Sequence, residues 1–89
     1  MTTDLELRRL VERWQQLPLD RALSRMPVVR PVIQELADAV ADAETRPHVD
    51  VPDLGPRAVM DQLTVMIHDA RDVEGLDIAG QLTRLRRRL

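Results

Sequence analysis

The sequence has no cysteine, lysine, asparagine, phenylalanine or tyrosine, and Trp14 is its one aromatic residue. The absence of cysteine rules out a disulfide framework, a thiolate nucleophile and a cysteine-bound metal. Serine occurs once, at Ser24, outside any Gly-x-Ser-x-Gly turn that would present it as a nucleophile. Gly55, Gly75 and Gly80 are the only glycines and are too scattered for a phosphate-cradling loop. No stretch approaches the ~20 apolar residues of a membrane span. Met1 to Glu6 carry neither the basic start nor the apolar run of a signal peptide, so a cytoplasmic protein is expected. The missing lysine, asparagine, phenylalanine and tyrosine share AT-rich codons. Their joint loss reads as the bias of a high-GC bacterial genome and carries no functional message.

What the sequence does contain is amphipathic helix. Hydrophobic residues make up 44% and charged residues 31% of 89 residues, a balance that folds as one globular domain covering 1–89. The broadest apolar face lies in the stretch from Ala58 to Ala70. There Val59, Met60, Leu63, Met66, Ile67 and Ala70, followed by Val73, fall within an arc of roughly 140° at the helical period. Such a face needs neighbours on more than one flank, and the other segments are read as its cover.

Thr3 followed by Glu6 has the form of a capping box, which predicts a helix over 4–17 with Leu7, Leu10, Val11, Trp14 and Leu17 inward. Pro18 ends it. Pro27 and Pro31 each oppose a helix interior but suit a helix start, so a short helix over 20–26 and a separate one over 28–44 are expected. Residues 45–55 contain Pro47 and Pro52 and read as a long extended connector, with Val49, Val51 and Leu54 expected to pack down. Pro56 opens the organising helix over 56–73, and Gly75 closes it. Asp77 can cap a last helix over 77–88 that carries Ile78, Leu82, Leu85 and Leu89, and Gly80 inside it suggests close approach of another helix. The expected fold is an all-α bundle of four principal helices plus the short one.

Three features bear on function. Arg84, Arg86, Arg87 and Arg88 concentrate positive charge at one end of a chain whose formal net charge is −2. A cationic end grips phosphate or an acidic partner, but it also complements a helix dipole, and an acidic body argues against nucleic acid as the main ligand. A helix-turn-helix over 20–44 fares no better, because Glu35, Asp38, Asp42 and Glu44 would repel the DNA backbone. Asp61, Val65, His68 and Asp72 share the outer stripe of the organising helix. His68 and Asp72 can reach one divalent ion, yet a metal site needs three or four converging ligands, so a solvated polar face is the expected reading and neither metal nor cofactor is anticipated. Leu5, Val28 and Val65 fall outside the core faces, a surplus that suits a helical interface.

The expectation is therefore a small non-enzymatic interaction or regulatory module whose partner is another protein or a second copy in a homodimer. Its candidate contact residues are Asp61, Val65, His68, Asp72, Arg84, Arg86, Arg87 and Arg88. The alternative is weak nucleic-acid or anionic-ligand binding through the arginine-rich end.

Overall fold

In the computed structural model, which describes Thr2 to Leu89, those residues form four α-helices and no strand. The first, α1 (Thr2–Gln15), starts two residues earlier than expected and buries Leu10 and Trp14, with Leu7, Val11 and Leu17 partly covered. Glu6 lies on this same inward stripe, one turn before Leu10, and is 7% exposed. Its carboxylate does not serve as the far half of a capping box. It receives a hydrogen bond from Arg86 Nη2 at 3.2 Å and lies 3.5 Å from Arg9 Nη1. A carboxylate in a core-facing position is tolerable only with such partners.

The second helix, α2 (Leu19–Ala43), is continuous through Pro27 and Pro31, and the separate short helix over 20–26 does not exist. Pro27 cannot donate to the carbonyl of Leu23, nor Pro31 to that of Pro27. Both rings are exposed, so the freed carbonyls lie on the watered side. The buried stripe of Ala22, Met26, Val29, Ile33, Leu36 and Val40 meanwhile runs unbroken across the prolines. Burying each large apolar side chain contributes about 1.5–3 kcal/mol. Several in register outweigh the ~3 kcal/mol that an interior proline costs. Val28, assigned to an outer face from its spacing, packs against the edge of this core.

A six-residue motif stops α2. Arg46 N–H donates to the Ala41 carbonyl at 2.8 Å and Thr45 N–H to that of Asp42 at 3.1 Å, the hydrogen-bond pair of a Schellman motif. Thr45 occupies its left-handed position at φ 56°, where glycine is usual and a β-branched residue is strained.

Residues 56–58 form a turn, so α3 (Val59–Ala70) begins three residues after Pro56, and it stops at Ala70, well before Gly75. Val59, Met60, Leu63, Ile67 and Ala70 are buried, as the organising face requires. Gly75 instead serves the turn to the last helix, at φ +83°. In α4 (Ile78–Arg87) the Asp77 carboxylate accepts a hydrogen bond from Gly80 N–H at 3.0 Å, which caps the helix. The tightest constraint at Gly80 is the cap itself, because a Cβ at this position would overlap the Asp77 carboxylate.

The helices associate in pairs, α1 with α4 and α2 with α3, and the buried side chains of both pairs merge into one apolar cluster. The overall extents are 39 × 28 × 17 Å. The flat shape leaves a small domain with much apolar area near its surface.

Candidate interaction groove

The connector between α2 and α3 is fastened along its length by side chains from the helices. Gln34 Nε2 donates to the Val49 carbonyl at 3.1 Å, while Gln34 Oε1 accepts from Val51 N–H at 2.8 Å. One side-chain amide thus pairs with alternate backbone groups of an extended segment, as a neighbouring strand would. Gln62 Nε2 donates to the Pro52 carbonyl at 2.9 Å, and the Trp14 indole donates to that of Pro56 at 3.1 Å. Arg30 lies 3.8 Å from Asp53 and donates to the Val51 carbonyl at 3.3 Å. Proline at 47 and 52 restricts the backbone between these clamps, so an extended path is held without a sheet.

His48 adds a charged clamp. Its Nε2 is 2.7 Å from Asp42 and its Nδ1 is 3.6 Å from Asp38, both on the last turns of α2. The hydrogen bond to Asp42 raises the imidazole pKa above its ordinary value of about 6.5, and the charges of Asp38 and Asp42 act in the same direction. Exposure to water keeps the energetic weight of this cluster small.

Only Val51 of the three apolar connector residues packs against the core. Val49 is 73% and Leu54 60% exposed, contrary to the expectation that both would pack down. They stand with Val65 of α3, 52% exposed, around a groove of about 580 Å³ between the connector, the second half of α2 and one flank of α3. Ala37 and Ala41 of α2 form its floor. Their small side chains are what let the trough form between two packed helices. On the α3 side, Ala58, Asp61, Gln62, Val65, Met66 and Asp69 line it at spacings of three and four. The trough therefore follows three turns of helix, roughly 17 Å.

The charges around this trough are unequally matched. Arg46, the lining cation, is ion-paired with Glu44. Asp50, Asp61 and Asp69 line it too, and none has a cation within ion-pairing distance among the described residues.

The candidate contact residues separate into five places. Asp61 and Val65 are in the groove wall. His68 is exposed two turns beyond Asp61 at the edge of the same stripe of α3, and Asp72 lies exposed in the turn beyond the helix, and neither lines the groove. Arg84, Arg87 and Arg88 are exposed at the far end of α4, without an ion-pair partner among the described residues. Arg86 is drawn inward to Glu6, so it belongs to the α1–α4 packing. Sequence reasoning missed Asp50, Asp69, Val49 and Leu54. Asp69 was within reach, since Asp61, Val65 and Asp69 recur every four residues on one stripe. The connector residues were not, because nothing local states which side of an extended segment meets the core.

Among the described residues no group of three or more His, Asp or Glu side chains is placed to hold a metal, and no helix is long and apolar enough to cross a membrane. The continuity of α2 also removes the turn that a helix-turn-helix over 20–44 requires. No protein family, curated protein or solved structure matches this chain.

Proposed function

We propose that the protein is a small non-enzymatic interaction module that binds another protein chain in the groove between the connector, α2 and α3. The observation that carries this reading is the apolar trough itself, where Val49, Leu54 and Val65 stay exposed although the surrounding backbone is clamped in place. Single exposed apolar residues are ordinary, whereas a concave cluster of them on a fixed frame is what binding surfaces provide. A fixed frame also lowers the entropy lost when a partner is captured.

The test is a Val65→Arg variant, which keeps a good helix former on an exposed position while filling and charging the groove. Its thermal melt should match that of the original protein, and capture of the partner should fall at least tenfold. Capture that survives the substitution places the interface elsewhere. A homodimer through the groove is the self-binding form of the same reading. Sedimentation across a wide concentration range distinguishes it, with Val65→Arg restoring the monomer.

A second reading rests on Arg84, Arg87 and Arg88, three exposed guanidiniums without carboxylate partners among the described residues. It assigns weak nucleic-acid or anion binding to this end of the molecule. Such binding weakens steeply with salt and is lost when the three are replaced by glutamine.

A further inference from the structure

The groove combines an apolar floor with three carboxylates that no cation among the described residues pairs with, Asp50, Asp61 and Asp69. Asp61 and Asp69 flank Val65 one turn away on either side along α3. Asp50 faces them from the connector wall. An occupant that buries apolar side chains here also draws these carboxylates away from water, which is unfavourable unless it supplies positive charge. The one lining guanidinium is already paired with Glu44 and does not relieve them. Resting on the protein-docking reading above, we infer that the occupant is a short amphipathic segment of another protein, with bulky apolar side chains for the trough and Arg or Lys beside them for Asp50, Asp61 and Asp69.

A second copy of this chain does not offer such a segment. The cations at its α4 end, Arg84, Arg87 and Arg88, sit among Leu82, Leu85 and Leu89, all of which are buried in its own core. Its other exposed apolar pair, Leu19 and Leu23, lies on the flank of α2 that carries Asp20 and Pro27. The only cation on that flank, Arg30, is held by Asp53. Leu5 of α1, 40% exposed, does have the exposed Arg8 one turn further on, but it is a single apolar side chain and not the paired anchor that the groove would enclose. The complementary segment is therefore assigned to a different protein. About three helical turns, or five extended residues, span the trough.

The experiment is selection of random 16-residue peptides displayed on phage against the full chain, with Val65→Arg as the counter-selecting bait, followed by affinity measurement on Asp61→Asn/Asp69→Asn. The expected peptides carry paired bulky apolar residues flanked by Arg or Lys. They should bind the double asparagine variant roughly tenfold more weakly and lose affinity on raising salt from low to physiological strength. Groove-dependent peptides that are neutral or acidic, or that ignore the asparagine substitutions, overturn the inference while leaving the docking reading in place. Failure to recover any peptide sensitive to Val65→Arg overturns both. Concentration-dependent dimers abolished by Val65→Arg identify a second copy as the occupant and also overturn it.

Discussion

Where α1 meets α4, the charged groups that approach the packing are matched by partners of their own chain. Glu6 meets Arg86 and Arg9, Arg13 Nη2 donates to the main-chain oxygen of Leu89 at 2.9 Å, and Arg71 closes on Asp4 at 2.6 Å. Leu82, Leu85 and Leu89 are buried beneath them. Where α2 meets α3 the helices pack as closely at the core, yet their outer flanks diverge around the connector and leave Val49, Leu54 and Val65 in water beside three unmatched carboxylates. The α1–α4 seam is closed, and the carboxylate it buries is paired. The other is held open by a fastened wall. A domain this small gains stability from every apolar side chain it hides, so the open half is the place to look for a role other than folding.

The largest expected effect tests whether the groove stands outside the core. Leu63 and Val65 are two residues apart on α3, the first fully buried and the second 52% exposed. Leu63→Ala should destabilise by about 3 kcal/mol through lost burial and the cavity left behind. Val65→Arg should stay within about 0.5 kcal/mol of the original protein. Urea denaturation of the two variants measures both. Equal losses would mean that Val65 supports the fold, and the contrast between the halves would collapse.

A smaller effect separates matched from unmatched charge. Replacing Arg86 with Met keeps most of the side chain's bulk but leaves Glu6, 7% exposed, with Arg9 alone. A loss of about 2 kcal/mol is expected, below the 3–5 kcal/mol of a fully buried broken pair because Arg86 is partly solvated. Asp61→Asn and Asp69→Asn, by contrast, break no ion pair and should each change stability by less than about 0.5 kcal/mol. If the asparagine variants are destabilised as much as Arg86→Met, the groove carboxylates have structural partners after all.

The same division shows how far the sequence could be read. Helical periodicity located the inward faces of α1, α3 and α4, and Asp77 announced the start of α4, because these are signals within one turn of the chain. The prolines of α2 misled for the same reason. Each is a local obstacle, and the six apolar residues that override them act only through the partners they bury against. Glu6 read as a cap from its spacing to Thr3, while its actual partner Arg86 is eighty residues away. Val65 stood out as an apolar residue off the core stripe, and Asp61 shared its face. That they form one wall of a trough depends on the connector, whose path is set by Gln34, Gln62 and Trp14 from three different helices.

The gentlest way to perturb the open half is through pH, at the clamp farthest from the core. His48 has its pKa raised chiefly by the hydrogen bond to Asp42, with the charges of Asp38 and Asp42 adding to it. A group whose folded pKa lies above its unfolded value contributes fully below the unfolded value, here about 6.5, and loses that contribution as pH rises through the folded pKa. The imidazolium therefore fastens the connector in mildly acidic solution and releases it above the raised pKa, while the Gln34 and Gln62 clamps persist. NMR titration of the His48 ring protons should give a midpoint above 6.5, and Asp42→Asn should lower it. Amide shifts of Val49 and Val51 should follow the same curve, because Val49 follows His48 directly and Val51 shares its Gln34 clamp. A midpoint at or below 6.5, or one indifferent to Asp42→Asn, would remove the charged clamp from the groove wall. The clamps from Gln34, Gln62, Trp14 and Arg30 would then hold the open half, and its shape would be the same at every pH near neutrality.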